Sequence, residues 1–188
     1  MRIYLTGFMG AGKSSVGRAL AARLATTFVD LDDVVVANAG RTIPEIFAAG
    51  GEAEFRRLER EALEAVIAAP ELADAVIATG GGTVAWPGTA ERLAASGVTV
   101  WLNLPFATIA RRIGGRGKSD RPLFRDETQA FALYRERLAA YRRSDLEIAV
   151  APEESPEEVS ARVEQRLAEV ARTPGAPRAA GAARDPAR

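Results

Sequence analysis

Gly7-Phe8-Met9-Gly10-Ala11-Gly12-Lys13-Ser14 carries the strongest chemical signal in the chain. Its spacing, Gly-x4-Gly-Lys-[Ser/Thr], is that of a phosphate-binding P-loop. Glycines allow backbone turns that a Cβ forbids, so the N–H groups of Gly10, Ala11 and Gly12 can point inward at phosphate oxygens. A helix beginning near Lys13 would aim its positive end at the same anion. The spacing assigns Lys13 to the β- and γ-phosphates and Ser14 to a hard cation such as Mg²⁺, with Ser15 supplying a second hydroxyl. The plain alternative is a glycine-rich turn with a solvated lysine. It is disfavoured because the motif falls between an apolar run and a helical pattern, where the mechanism needs it. The motif implies nucleoside triphosphate binding without separating kinases from GTPases or ATPases. Two absences narrow the choice: there is no Asn-Lys-x-Asp for reading guanine, and the third apolar run ends in Thr79-Gly80 rather than in an acid.

The remaining chemistry is bounded by composition. The 188 residues include no His and no Cys. Imidazole bases, thiolate nucleophiles, thiolate zinc sites and disulfides are therefore excluded. Acid–base work falls to carboxylates and Lys, with Arg or a hard metal ion carrying charge. Asp30 and Asp32, at the end of the second apolar run, are the acids nearest the expected phosphates.

Short apolar runs alternate with helical patterns along the chain. Strands are predicted at Ile3–Thr6, Thr27–Asp30, Ala73–Thr79, Val98–Leu104 and Leu146–Val150. Helices are predicted from Lys13 to about Ala25, then at Ile43–Ala49, Glu52–Ala69, Pro87–Ala95, Phe106–Ile113, Glu127–Arg143 and Pro156–Arg172. This order implies an α/β fold with a five-stranded, mostly parallel sheet covered on both faces, a three-layer α/β/α sandwich. Such sheets bind ligands at the carboxyl ends of their strands. The P-loop, the acids Asp30 and Asp32, and Gly80-Gly81-Gly82 all fall there.

The formal net charge of zero conceals a division. Residues 172–188 carry four Arg and one Asp, so 1–171 is net −3. An acidic body gives no support for nucleic-acid binding. The Pro-, Gly-, Ala- and Arg-rich stretch after Arg172 lacks apolar periodicity. The expected organisation is one domain over 1–172 and a disordered tail over 173–188. The sequence shows neither a secretory leader nor a span of about 18 apolar residues. A cytoplasmic protein without a membrane partner is expected.

A narrower resemblance rests on residues beyond the P-loop. Asp30-Leu31-Asp32, the segment Phe47-Ala48-Ala49-Gly50-Gly51-Glu52-Ala53-Glu54-Phe55-Arg56-Arg57-Leu58-Glu59, the run Gly80-Gly81-Gly82, Arg121-Pro122-Leu123, and Arg137 four residues before Tyr141 follow one another in the order found in shikimate kinases. From about Ile3 to Val150 the chain resembles that family.

The resemblance implies transfer of the γ-phosphate of ATP to the 3-hydroxyl of shikimate, with Mg²⁺. It places Arg56 and Arg137 on the substrate carboxylate, a role suited to the guanidinium fork. It places Asp32 on the acceptor hydroxyl as the group taking its proton, and Asp30 near the metal. Gly80, Gly81 and Gly82 would approach the substrate, Gly81 through its N–H and the space a side chain would fill. Glu59 would orient the substrate-side Arg. Segment 32–60 would form the substrate-binding part, and 113–125 a mobile lid bringing Arg121 over the phosphates. Arg112 would pack on adenine, although Arg111 beside it leaves the register open. A monomer is expected.

Bland roles stand beside these. Arg56 is spaced for ion pairs along its own helix with Glu52 and Glu59. An Asp at a strand end is also a helix N-cap, a role for which Asp33 is the better placed. Two features depart from the family. Ala151-Pro152-Glu153-Glu154-Ser155-Pro156 lacks an Arg sometimes found in the adenine-contacting loop, and the lid carries extra cations in Arg116 and Lys118. The alternatives are a P-loop kinase of another hydroxy acid such as gluconate and, in a different class, a nucleotide-dependent binding protein.

Overall fold

The computed structural model describes residues 1–114 and 126–172. The lid residues 115–125, Arg121 among them, and the tail 173–188 lie outside the described residues.

Five parallel strands form one sheet: β1 (Arg2–Thr6), β2 (Thr27–Asp30), β3 (Ala75–Ala78), β4 (Gly97–Asn103) and β5 (Leu146–Ala149), in the order β2-β3-β1-β4-β5. The three-layer α/β/α architecture expected from the alternation is the one observed. Side chains alternate across the sheet as the strand pleat requires. Ile3 and Leu5 join Val16, Leu20 and Val163 on one face, whereas Tyr4 joins Leu31, Val35 and Leu63 on the other. α1 (Lys13–Arg23) and α7 (Pro156–Arg172) cover the first face and touch each other. α2 (Leu31–Ala39), α3 (Ile43–Ala68) and Leu93 of α4 (Thr89–Ser96) contribute to the second. α5 (Phe106–Gly114) and α6 (Glu127–Tyr141) complete the set.

The register aligns the chemistry. Asp30 pairs with Ala78 across β2–β3, and Ala78 pairs with Leu5 across β3–β1. The acids after β2, the glycines after β3 and the P-loop after β1 therefore leave the sheet side by side.

Three local departures from the sequence reading matter for the site. The first is α2, which the sequence reading missed. Three consecutive valines, Val34 to Val36, have poor helix propensity, yet burial of Leu31 and Val35, four apart on one face, outweighs it. Its N-cap is Asp30, not Asp33: the Asp30 carboxylate accepts the Asp32 N–H at 3.2 Å. The second is α3. The two helices read from sequence run on as one element, broken at Gly51 (φ 65°, ψ −164°). Thr42 and Glu45 close a capping box at its start, fixing where the first half begins. The third is the stretch after the glycine run. It forms a 3₁₀ turn at Thr83–Ala85, and α4 starts only at Thr89.

Candidate active site

α1 opens without a side-chain cap. Gly12 is its N-cap at φ 96°, a left-handed conformation that favours glycine. The amides of the first turn are thus left to whatever ligand fills the loop. Lys13 folds its ammonium onto the loop's own carbonyls, donating to Gly7 O at 2.8 Å and Phe8 O at 3.1 Å. Ser14 Oγ donates to Asp30 Oδ2 at 2.6 Å. The hydroxyl and the carboxylate assigned to the metal side therefore already meet. Among the described residues no group of three or more metal-ligating side chains occurs.

Asp32, two residues beyond the cap, projects into the same space. Its Oδ1 is shielded from solvent and has no hydrogen-bond partner among the described residues. Burial, then the neighbouring charges of Asp30 and Glu59, push its pKa up to about 6, against the pull of Lys13 and Arg56. A carboxylate so raised is a proton acceptor close to neutral pH.

Arg56 and Arg137 come together from α3 and α6. Both are nearly inaccessible, at 5% and 6% exposure. The helical ion pairs of Arg56 are real: the one with Glu59 is buried on both sides, and the one with Glu52 reaches the surface through an exposed Glu52. Nη1 donates to Glu59 Oε2 at 2.8 Å and Nη2 to Glu52 Oε1 at 3.0 Å. Glu59, itself buried, also accepts from Thr83 Oγ1 at 2.6 Å. The guanidinium lies over Phe55 (5.2 Å) and Trp86 (5.7 Å), while Arg137 lies over Phe8 (5.9 Å). These contacts hold Arg56 in place from several sides and make a rigid fork.

The glycine run shows where the fork points. A Cβ on Gly82 would stand 2.7 Å from Arg56 Nη2 and 3.0 Å from Arg137 Nη2. The two cations thus converge on the space beside Gly82. A Cβ on Gly81 would meet the P-loop backbone, 3.0 Å from Met9 N. Its small size serves the close approach of two loops. The carbonyl of Gly80 accepts from Thr83 N at 3.2 Å, which ties the run to the 3₁₀ turn.

One cleft of about 750 Å³ joins the P-loop, Asp32 and the two arginines. That volume suits a nucleotide and a small acceptor together. Ile43, Phe47 and Phe55 form part of its wall, with the two phenyl rings 5.0 Å apart. At the far end Arg112 lines the cleft and donates to Pro152 O at 3.2 Å, whereas Arg111 is exposed. Of the two neighbouring arginines, the one that reaches the cleft is therefore Arg112. Ser15, Gly10 and Ala11 also line the cleft.

Residues that sequence reasoning gave no role are Phe47, Phe55, Thr83, Trp86 and Tyr141. Phe47 and Phe55 fall within the segment that carried the resemblance, but nothing in their spacing distinguishes a substrate wall from core. Thr83 and Trp86 act through a turn that has no periodic pattern to reveal it.

A parallel sheet with a P-loop after its central strand, and a buried arginine fork in the same cleft as a carboxylate of raised pKa, defines a P-loop phosphotransferase acting on a small anionic acceptor. The shikimate kinase profile matches residues 9–168. The chain is 40% identical over 164 residues to the shikimate kinase of Synechococcus elongatus, covering 86% of this chain and 83% of that one. It is 41% identical over 168 residues to that of Thermosynechococcus vestitus, covering 88% of each. Its fold superposes with a TM-score of 0.84 on shikimate kinase from Acinetobacter baumannii in complex with shikimate, at 31% identity over 92% of this chain and 95% of that one. A deoxyadenosine kinase from M. mycoides, 16% identical with a TM-score of 0.59, shares the fold alone. The chain belongs to the shikimate kinase family.

Proposed function

We infer that this chain phosphorylates shikimate at its 3-hydroxyl with ATP, giving 3-phosphoshikimate and ADP. The observation that carries this reading is the convergence of Arg56 and Arg137 on the space beside Gly82, in the same cleft as the P-loop and Asp32. A carboxylate in that space would meet two forks. The apolar wall of Phe47 and Phe55 suits one face of a carbon ring.

In this reading the chain's groups divide the work. The amides at the start of α1 and Lys13 hold the triphosphate, Lys13 exchanging its loop carbonyls for phosphate oxygens. Arg112, anchored on Pro152 O, and the loop after β5 flank the nucleobase. Asp32 orients the 3-hydroxyl through its unpaired Oδ1 and takes the proton as the new P–O bond forms and the bond to ADP breaks. Proton transfer can follow P–O cleavage in a loose transition state, so the gain from Asp32 lies in both orientation and basicity. Ser14 and Asp30 offer the hard oxygens that suit Mg²⁺, Asp30 through water. Bound there with the phosphates, the ion would neutralise developing charge. Arg121 is proposed to approach the transferring phosphate from the lid. A cytoplasmic monomer is proposed for the working enzyme. Among the described residues no helix is long and apolar enough to cross a membrane.

The reading is tested by ADP release with shikimate, gluconate and other hydroxy acids, followed by assignment of the phosphate position in the product. Turnover with shikimate and phosphate on the 3-hydroxyl is expected. Turnover with gluconate in place of shikimate would transfer the same site to another acid. A related expectation concerns Gly82→Ala. The added methyl group must displace both guanidinium groups, so the KM for shikimate should rise roughly tenfold or more, while the KM for ATP stays within about twofold. Steady-state kinetics in both substrates checks the split.

A further inference from the structure

Tyr141, the last residue of α6, takes no direct part in the mechanism above, yet it sits at the junction of its acceptor-side parts. Its ring is fully buried and stacks on Trp101 of β4, with centroids 6.0 Å apart and planes inclined by 23°. The stack leaves the ring little freedom, so the hydroxyl has a fixed place. That hydroxyl donates to the carbonyl of Gly81. Arg137, one helical turn earlier, acts on the same hydroxyl by charge and by hydrogen bonding.

Two consequences follow from elementary geometry. A trans peptide is planar, with C=O and N–H on opposite sides. Holding the Gly81 carbonyl therefore fixes the plane of the Gly81–Gly82 peptide and sends the Gly82 N–H away from the phenol. Gly81 is the residue against the P-loop backbone and Gly82 the residue against both guanidinium groups. One phenol thus sets the peptide linking the phosphate side to the carboxylate side. A glycine run is otherwise the stretch of chain least able to hold its own shape. No side chain in the run can lock it, so the lock must come from outside.

We propose that Tyr141 is a positioning residue for shikimate: its hydroxyl holds the Gly81–Gly82 peptide and the Arg137 guanidinium in one arrangement, and so sets the carboxylate pocket. The inference rests on the shikimate reading and adds a residue that touches neither substrate. It also separates Tyr141 from a purely structural aromatic, whose ring alone would matter.

The test is Tyr141→Phe, which keeps the ring and its stack on Trp101 and removes only the hydroxyl. Wild-type turnover of shikimate is measured first. Its absence would overturn the shikimate reading itself and, with it, this inference. Given that turnover, Tyr141→Phe should raise the KM for shikimate about tenfold, with the KM for ATP within about twofold. An unchanged shikimate KM, or equal rises for both substrates, would overturn the positioning role. A second measurement is a cycle with Arg137→Lys, read as shikimate affinity by calorimetry at a temperature where every variant shows native circular dichroism. Tyr141→Phe should cost clearly less on top of Arg137→Lys than in wild type, because the two side chains act as a unit. Strict additivity would show that the hydroxyl works independently of Arg137 and overturn the proposal.

Discussion

Replacing Asp32 by Asn should lower turnover by about 10²- to 10⁴-fold, the usual contribution of a positioned general base. Shikimate affinity should change by no more than about threefold, because the arginine fork is untouched. The same substitution should make the protein more stable at neutral pH. Asp32 has its pKa raised to about 6 in the fold, above its ordinary value of 3.8. The folded state therefore binds the proton more tightly than the unfolded chain does. The contribution of this proton is full below about pH 4 and is lost as pH rises through about 6, where the buried group must ionise. Asn never ionises. In the nucleotide- and metal-free protein, the melting temperature of Asp32→Asn should match wild type near pH 4 and exceed it above pH 6. Turnover and a melting series across pH check the two halves separately. Near-normal turnover would remove Asp32 from the proton-accepting role. A variant less stable than wild type at pH 8 would mean that its carboxylate is better solvated than its unpaired Oδ1 indicates.

Arg56→Ala should have the second large effect, on binding rather than on chemistry. Charge-assisted hydrogen bonds contribute about 1.5–3 kcal/mol each, so removal of one fork should weaken shikimate binding by on the order of 10²- to 10³-fold. ATP binding, at the other end of the cleft, should be nearly unchanged. Stability should also fall by about 3–5 kcal/mol, since Glu59, at 2% exposure, would lose its charged partner and keep, among the described residues, the Thr83 hydroxyl. The two losses can be separated. Adding Glu59→Gln to Arg56→Ala removes the stranded charge and should restore part of the melting temperature without restoring affinity. Calorimetric titration of both ligands and thermal denaturation check this. Unchanged shikimate titration would remove Arg56 from the carboxylate.

What the sequence disclosed depends on how local each determinant is. The P-loop is legible because its spacing is itself the mechanism: glycines, Lys13 and Ser14 act within one turn of chain. The central strands β1, β3 and β4 are legible because burial on both faces demands continuous apolar runs, whereas the edge strands β2 and β5 are only partly buried and are placed by the alternation with helices. α2 was not legible. Its valines argue against a helix, and only the tertiary burial of Leu31 and Val35 reveals it. With α2 unseen, the capping role fell to Asp33 instead of Asp30. Arg56 carried two readings at once in sequence, and the structure joins them. The ion pair with Glu59 is what holds the guanidinium toward the cleft. The division of labour within the glycine run could not be read at all, since three identical residues differ only in what approaches them: Glu59 with Thr83, the P-loop backbone, or two arginines. Tyr141 was visible only as the end point of a spacing, because the carbonyl it holds lies 60 residues away.

The break at Gly51 has a consequence for how acceptor choice could diverge. Ile43 and Phe47, part of the apolar wall, lie before it; Arg56 and Glu59, the charged fork and its anchor, lie after it. In the proposed reading the module before the break therefore bears only on the outline of a guest, whereas the module after it, where Phe55 adjoins Arg56, bears on both outline and charge. Substitutions in the first module can reshape the cavity without disturbing the buried ion pair. A lineage could in this way explore new ring shapes while always demanding an acid.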